Sequence, residues 1–220
     1  MATRTRKPTA QRRQEIARAV LRIIGERGLT SLTTASVAEE IGLTPGALFR
    51  HFDSRDEMLH EAVRCALTRI ETTFPDPTLP PLERLLALAR NRVDLLGSDP
   101  GLAWLLRSEQ AYLALPDEAV QSLRDMVERS RTFLLEAIRA GAAEGSIRDD
   151  IEPQLLMVPV MGTIHTLVGT SGVHRVAPGK GGAEPERVLA ALRRLLAPSQ
   201  KNKAKPSTRK DRTKRSINRR

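Results

Sequence analysis

The chain has 220 residues, of which 40% are hydrophobic and 3% aromatic. This composition is typical of a globular protein, and its Leu- and Ala-rich apolar content favours helix. The single cysteine, Cys65, excludes a disulfide framework within one chain, and no apolar run reaches the length of about 18 residues that suggests a membrane span. The polar N-terminus lacks the apolar segment of a signal peptide, so we expect a cytoplasmic protein.

The formal net charge of +10 is concentrated at the two ends of the chain. Residues 201–220 carry +9 and residues 1–15 carry +4, which leaves −3 for residues 16–200. The body of the protein is therefore slightly acidic, and the basicity indicates solvated arms rather than a uniformly basic fold. We expect residues 1–8 to be a disordered arm and residues 198–220 to be a disordered tail.

A first helix is predicted from Thr9 to Arg27, where apolar residues recur at the spacing of one helix face. Gly28 follows this helix and is suited to end it, because glycine adopts left-handed backbone angles at little cost. Leu29 and Leu32 then provide apolar anchors for the link to the next element. The apolar residues of the helix are Ile16, Ala19, Val20, Ile23 and Ile24.

Residues 32–52, with the sequence LTTASVAEEIGLTPGALFRHF, predict a short helix, a tight turn and a second short helix. Thr33 or Thr34 can cap the first helix, because a hydroxyl accepts a hydrogen bond from the unpaired amides of a first turn. Gly42 follows the apolar stripe of this helix, at a position where a left-handed residue ends helices readily. The stripe consists of Val37, Ala38 and Ile41.

The second of these helices has favourable residues at its start. Thr44 can cap it, and Pro45 occupies the first helical position, where its missing amide costs nothing. Its apolar side is predicted to consist of Leu48, Phe49 and Phe52. Its outer side carries Thr44, Gly46, Ala47, Arg50 and His51. A helix-turn-helix of this kind places its second helix in the major groove of duplex DNA, although the outline also fits a polar surface hairpin of two helices.

A longer helix follows, which Asp53 or Ser54 can cap and which is predicted to run to about Thr73. The proline-rich residues 75–81 then interrupt the helical pattern, and we place a domain boundary there. The N-terminal domain defined in this way, a three-helix unit followed by the longer helix, covers residues 9–74.

The next part of the chain, residues 82–197, is predicted to be a second helical domain. Gly145 is placed to end its longest helix, and Pro159 predicts a kink in a later one. The glycine-rich residues 169–184 predict a loop. No run of residues has the period of a strand, so the predicted fold is all-α. The helical patterns cover residues 82–97, 99–113, 116–143, 152–168 and 185–197.

The order of these elements resembles the DNA-binding domain of the TetR family of transcriptional regulators. The resemblance covers residues 9–73 and rests on the segments LTTASVAEEIG, LTPGALFRHF and DSRDEML. It implies a sequence-specific DNA-binding regulator, a repressor on family grounds, whose C-terminal helices bind a small-molecule effector and form a homodimer. Those later helices resemble the family only in layout, so few residue roles transfer to them.

The resemblance also implies roles for individual residues on double-stranded operator DNA. Ala35 lies where some members read a base, and it can offer only apolar contact. Phe49 stands where most members carry a tyrosine that contacts phosphate, and it lacks the hydroxyl. Arg50 has two interpretations, a bidentate contact to guanine or a contact to phosphate. Phosphate contacts are implied for Thr33, Thr34, His51 and Arg55, and groove-entering positions for Thr44, Pro45, Gly46 and Ala47.

In the family, the last two long helices of each subunit form a four-helix dimer interface. Two such copies would read half-sites about one helical turn apart, roughly 34–36 Å, or a multiple of that distance. The candidate interface residues, which would look the same in an ordinary core, are Val158, Met161, Ile164, His165, Val168, Val188, Leu192, Leu195 and Leu196. A mainly apolar effector pocket is expected between helices. Its candidate residues are Trp104, Tyr112, Phe133, Met157 and His165.

The basic ends of the chain offer a second mode of DNA binding. The N-terminal arm can follow the DNA backbone or enter a minor groove. The tail of residues 198–220 can add affinity that is independent of sequence, or it can simply be solvated. The alternative function is therefore a non-sequence-specific architectural DNA-binding protein. The basic residues of the N-terminal arm are Arg4, Arg6, Lys7, Arg12 and Arg13.

The sequence carries no recognisable catalytic or cofactor motif. It lacks an HExxH motif and a Cys/His cluster with the spacing of metal ligands. The GKGG at residues 179–182 is not a phosphate loop, because no Ser or Thr follows Lys180. We therefore expect no enzyme activity and no bound metal or cofactor.

Overall fold

Ten α-helices and one short 3₁₀ helix make up the part of the chain that the computed structural model describes, residues 8–168 and 184–198. They are α1 (Thr9–Arg27), the 3₁₀ helix Leu29–Ser31, α2 (Thr34–Glu40), α3 (Pro45–Leu48), α4 (Arg55–Glu71), α5 (Pro81–Ser98), α6 (Pro100–Arg107), α7 (Glu109–Ala114), α8 (Asp117–Glu144), α9 (Pro153–Leu167) and α10 (Pro185–Leu196). These described residues contain no strand, which confirms the predicted all-α fold. No helix among them has the length and apolarity needed to cross a membrane. The predictions for residues 1–7, 169–183 and 199–220 lie outside the described part.

The longest helix, α8, ends where the sequence predicts. Gly145 follows it with a left-handed φ of 79°, a conformation that glycine adopts without the steric cost of a Cβ atom. The backbone N–H groups of Ser146 and Ile147 then donate to the carbonyl of Gly141 at 2.9 and 3.0 Å. A Cβ atom at Gly141 would come within 2.6 Å of the Ile147 side chain. The turn after α8 therefore folds directly against the helix.

Two helices differ in detail from the predictions. The single helix expected over residues 99–113 is in fact two, α6 and α7, because the backbone of Ser108 is extended between them. Serine competes for backbone hydrogen bonds inside a helix and favours N-cap positions such as this one. The helix α9 continues through Pro159, whose carbonyl accepts a hydrogen bond from the Thr163 hydroxyl at 2.7 Å. The kink there stays a prediction.

The buried apolar side chains form two cores, and their division does not coincide with the proline-rich link. The first core joins α1, α2 and α4 to α6 and the N-terminal half of α8. The second core joins α5 and the C-terminal half of α8 to α9 and α10. The helices α1 to α4, called the helix-turn-helix half below, therefore share a core with later helices. The division of the chain into two domains at residues 75–81 stays a prediction.

The contact between α1 and α6 is close because a glycine lies on each side. A Cβ atom at Gly25 would come within 2.4 Å of the backbone nitrogen of Gly101, and one at Gly101 within 2.2 Å of the carbonyl oxygen of Leu21. Arg69 of α4 also forms an ion pair with Asp99, the residue that caps α6. The helix-turn-helix half is therefore attached to α6 through both α1 and α4.

Candidate DNA-binding interface

Thr33 caps α2, which decides between the two caps that the sequence allowed. The Thr33 hydroxyl accepts a hydrogen bond from the backbone N–H of Ser36 at 3.0 Å, and the Ser36 hydroxyl accepts one from the backbone N–H of Thr33 at 3.0 Å. This reciprocal arrangement satisfies two amides at the helix start. Thr34 and Ala35 form the first turn, in which Thr34 is half-buried and Ala35 is exposed.

The turn between α2 and α3 depends on Gly42, whose φ of 64° lies in the left-handed region. The N–H of Leu43 donates to the carbonyl of Ala38 at 2.8 Å and closes the turn. Thr44 then stands at the N-cap of α3 and Pro45 in its first turn, as the sequence predicts. The Thr44 hydroxyl makes no capping hydrogen bond. The exposed residues at this end of α3 are Thr44, Pro45 and Gly46, so a hydroxyl and a backbone with no large side chain face outward.

The apolar side of α3 is smaller than predicted. Leu48 and Phe52, four residues apart, are buried in the first core. The prediction that Phe49 packs beside them is wrong, because the Phe49 side chain is 52% exposed. The helix α3 ends at Leu48, so Phe49 lies beyond its regular turns. It lies instead on the outer surface, where Arg50 is also exposed and Ala47 and His51 are half-buried.

Arg55 lies beside the start of α2, although it belongs to α4. Ser54 caps α4 by accepting a hydrogen bond from the backbone N–H of Glu57 at 3.0 Å, and the exposed Arg55 follows it. Arg55 lines the same small crevice as Thr33 and Thr34. Three of the residues with implied phosphate contacts therefore lie together on one surface, while their roles on DNA stay predictions.

Arg13 is a half-buried residue of α1, so the prediction that it belongs to an N-terminal arm preceding the first helix is wrong. Its Nη1 donates to the backbone carbonyl of His51 at 2.6 Å and to a carboxylate oxygen of Glu57 at 2.7 Å. Its Cζ lies 4.2 Å from the centroid of the buried Phe52 ring. A second carboxylate, Glu61, is 3.9 Å from Nη2. The guanidinium therefore contacts α4 and the link between α3 and α4.

Glu57 extends this contact to the start of α4. Its second carboxylate oxygen accepts a hydrogen bond from the backbone N–H of Asp53 at 2.7 Å. That hydrogen bond, and next the one from Arg13, lower the pKa of Glu57 below its ordinary value, so the carboxylate is charged at neutral pH. Sequence reasoning missed the pair because its members are 44 residues apart and no local motif connects them. Arg12 forms a separate ion pair with Glu15 at 2.8 Å.

The helices predicted to form a dimer interface have a buried and an exposed side. Ile164, Leu192 and Leu196 are buried in the second core, so assigning them to an interface is wrong. Val158 and Leu195 are instead 68% and 61% exposed. Of the remaining candidates, His165 is exposed. The others are half-buried, and they are Met161, Val168 and Val188.

The exposed side of α9 extends beyond the predicted residues. Leu155, which the sequence analysis did not select, is 59% exposed. Pro159 and Gly162 follow Val158 on this side of α9 and are also exposed. These residues, with Leu195 on the neighbouring α10, are called the α9–α10 face below.

Among the described residues, the five candidate effector contacts lie in different parts of the structure, and their role in binding an effector stays a prediction. Trp104 and Tyr112 pack at the first core, whereas Phe133 and Met157 belong to the second. His165 is exposed. They were selected as the larger or polar side chains of the later helices, and helical periodicity does not reveal which core a side chain joins.

Phe133 alone among them lines a groove of about 590 Å³ between α8 and the link that follows α4. The rings of Phe74 and Phe133 meet edge to face there, with centroids 5.3 Å apart. Arg129 pairs with Glu71 at 2.7 Å along the groove. The groove is open and its lining is mainly apolar, but its rim carries four carboxylates, which are Glu71, Asp125, Glu128 and Glu136.

Together, the capped α2, the Gly42 turn and the exposed end of α3 define a helix-turn-helix DNA-binding protein. Residues 16–62 match the family model described as "Bacterial regulatory proteins, tetR family". The helix-turn-helix part of the chain is therefore similar to the DNA-binding domain of TetR-family transcriptional regulators.

Several proteins with similar sequences or structures are named as transcriptional regulators. The HTH-type transcriptional repressor KstR2 of Mycolicibacterium smegmatis is 26% identical over 160 residues, which cover 71% of this chain and 77% of that protein. The structure of the ketosteroid transcriptional regulator KstR2 of Mycobacterium tuberculosis matches with a TM-score of 0.69 and 24% identity, over 84% of this chain and 95% of that one. AibR, solved in complex with isovaleryl coenzyme A and operator DNA, matches with a TM-score of 0.65 and 17% identity, over 84% and 97% of the two chains.

Proposed function

We propose that this protein is a transcriptional repressor that binds a pseudo-palindromic operator as a homodimer and is released from it by a small molecule. The observation that carries the proposal is the unit of α2 and α3. Its inner side is held by buried apolar residues, and its outer side presents small and hydrogen-bonding groups that fit a DNA groove.

The proposed contacts divide into two classes. Phosphate contacts from Thr33, Thr34, His51 and Arg55 would fix the position of the protein on the duplex without reading its sequence. Base contacts would come from Ala35, from the exposed start of α3 and from Arg50. The exposure of the Arg50 side chain supports this assignment, since it leaves the guanidinium free to approach a base edge.

The α9–α10 face supports the proposed homodimer. Three large apolar side chains on it, Leu155, Val158 and Leu195, are each more than half exposed. An interface formed by the same face of two copies would bury them and would give the assembly two-fold symmetry. That symmetry matches a pseudo-palindromic operator, whose half-sites are related by the same axis.

The proposed effector response rests on the connection between the two halves of the chain. Because α1 and α6 approach closely through Gly25 and Gly101, a shift of α6 would move α1 as well. A ligand that binds the later helices more tightly in one arrangement would therefore change the affinity for DNA. AibR, which has been solved with both a small molecule and operator DNA, supports the view that this fold accommodates two such ligands.

Selection of binding sites from a random duplex pool tests the function. The purified full chain is incubated with the pool at about physiological salt, where affinity driven by counterion release is weakened. We expect enrichment of one pseudo-palindrome. Arg50→Ala should weaken binding to it by roughly 1–3 kcal/mol and relax the preference at one position of each half-site.

A pool that returns without enrichment would overturn the proposal. The architectural alternative then makes its own prediction, because its affinity would come from the basic termini. Deleting residues 199–220 should in that case abolish retention of all duplexes equally, whereas a repressor lacking them keeps its preference for the palindrome.

A further inference from the structure

We propose that Arg13 is a positioning residue for operator recognition. It holds the segment of residues 49–57, called the recognition corner below, in the conformation that meets DNA, and does so without touching the operator itself. This inference rests on the proposed DNA-binding function and assigns to it a residue outside the helix-turn-helix.

The contacts of Arg13 converge on the backbone of the recognition corner. The guanidinium binds the carbonyl of His51 directly at 2.6 Å. It also binds Glu57 at 2.7 Å, whose other oxygen accepts the N–H of Asp53 at 2.7 Å. Two backbone groups on either side of Phe52 are therefore fixed by one side chain and its partner. The buried Phe52 ring, 4.2 Å from Cζ, supports the guanidinium between them.

The fixed backbone carries side chains that are proposed to contact DNA. Arg50 immediately precedes the anchored carbonyl, and Arg55 follows the anchored amide by two residues. The recognition helix α3 itself is only one turn long, so it has few hydrogen bonds of its own to hold its C-terminal end. A recognition site needs its groups held to within about 0.5 Å, which usually requires support from residues behind them. Arg13 supplies that support from α1.

The chemistry of the site explains why an arginine stands here. The planar guanidinium presents several N–H groups in a fixed fork, so one side chain can bind a carbonyl and a carboxylate together while stacking on a ring. A lysine ammonium is a single point charge and cannot reproduce that geometry. The charge of Arg13 is matched by Glu57 at 2.7 Å and Glu61 at 3.9 Å, which makes it a poor source of net attraction for phosphate.

Operator binding by three variants of the full chain tests the inference. Arg13→Met should weaken binding to the selected operator about tenfold, the effect of losing one charge-assisted hydrogen bond. Arg13→Lys should recover only part of that loss. Arg18→Met is the matched control, because Arg18 is exposed on the same helix and its substitution removes the same charge. This variant should bind like the unaltered protein after correction for any change in active fraction.

The salt dependence of binding separates positioning from direct contact. A positioning residue leaves the slope of log K against log salt unchanged and reduces the preference for the operator over random duplex. A residue that contacts phosphate instead lowers the slope by about one and weakens binding to all sequences alike. The second result would overturn the inference, as would equal affinities of Arg13→Met and the unaltered protein.

A second pair of variants keeps Arg13 and removes one negative charge from α4 at two neighbouring positions. The inference predicts opposite effects of the two variants on DNA binding. Asp56→Asn removes a negative charge from the exposed first turn of α4 and should tighten DNA binding slightly. Glu57→Gln removes the same charge but leaves one acceptor oxygen for two donors. We expect it to weaken binding severalfold. Tighter binding by both variants would overturn the inference, because charge alone would then explain them.

These experiments distinguish failure of the inference from failure of the proposed function. If the unaltered chain selects a palindrome and Arg13→Met binds it equally well, only the positioning role is lost. If the unaltered chain selects no sequence, the repressor proposal and the inference fail together.

Discussion

Phe49 is an exposed aromatic side chain on the surface proposed to face DNA. Its ring is 52% exposed in a recognition corner whose other aromatic residue, Phe52, is buried. The core therefore gives no reason for an aromatic residue at position 49, whereas the family resemblance implies a phosphate contact there. We expect Phe49→Tyr to strengthen operator binding about threefold to tenfold, the effect of roughly one additional hydrogen bond.

Titration of the operator against Phe49→Tyr and Phe49→Leu measures this effect. Because the side chain is half exposed, both variants should keep the melting temperature of the unaltered protein. The added hydroxyl should increase affinity for specific and random duplex alike, since phosphates carry no sequence information. Equal affinity of the tyrosine and phenylalanine proteins would show that position 49 does not reach the backbone of the DNA.

At the scale of the elements, local signals in the sequence predicted helix ends better than they predicted helix faces. Gly42, Ser54 and Gly145 stand where caps and turns were expected, because each depends on residues within one or two turns of the chain. The faces of α9 and α10 depend instead on which other helices pack against them. Ile164 and Leu192 therefore have the same periodicity as Val158, although they are buried and Val158 is not.

In the candidate site, too, features that depend on nearby residues could be predicted and features that depend on distant residues could not. The α2–α3 unit could be predicted because a contiguous motif of about 20 residues carries it. The contact of Arg13 with Glu57 could not, because it joins two helices across the fold. The effector candidates stay a prediction for a related reason: a pocket is defined by the space between helices, and one helix pattern contains no information about that space.

The proposed dimer can be tested by placing charges on the α9–α10 face. If this face joins two copies, Val158→Glu and Leu195→Glu should each place a charge inside the interface and weaken the dimer by several kcal/mol. Both side chains are exposed in the single chain, 68% and 61%, so its folding should be little affected. Sedimentation equilibrium should show monomers, and operator affinity should fall because the two half-sites are no longer bound together.

Leu113→Glu is the matched control for these two variants. Leu113 on α7 is 87% exposed and lies away from α9 and α10 in the chain. It should leave the assembly and the operator affinity unchanged. If Val158→Glu and Leu195→Glu behave like this control, the α9–α10 face is not the dimer interface.

At the scale of the whole molecule, one buried cation connects the end of α4 to the later helices. Arg92 on α5 is 7% exposed, and its Nε donates to the Thr73 hydroxyl at 2.5 Å while Nη2 donates to the Ser130 hydroxyl of α8 at 3.0 Å. Asn91 donates to the Thr73 carbonyl at 3.0 Å. The helix whose first turn carries Arg55 is therefore held at its opposite end by α5 and α8, on which the effector is proposed to act.

The charge of Arg92 is held at a cost in stability. Burial lowers the pKa of Arg92 from its ordinary value to about 10. Because the folded pKa is the lower one, the charged form is disfavoured in the folded protein, by about 3 kcal/mol at neutral pH. This cost is fully present below about pH 10 and decreases as the pH rises from there towards the ordinary pKa of arginine. The negative charge of Glu71 raises the pKa of Arg92 and offsets only part of this cost.

We therefore expect Arg92→Met to be at least as stable as the unaltered protein and yet to loosen the end of α4. The Thr73 and Ser130 hydroxyls each keep a hydrogen bond to a backbone carbonyl, at 2.6 and 2.8 Å, so the substitution leaves neither unsatisfied. Thermal unfolding should show an unchanged or higher midpoint, and hydrogen exchange should be faster at residues 68–74. Arg90→Met is the control, since Arg90 forms only an exposed pair with Glu186 at 2.7 Å. A loss of more than about 2 kcal/mol in Arg92→Met, or unchanged exchange at the end of α4, would show that Arg92 stabilises the fold without connecting its two halves.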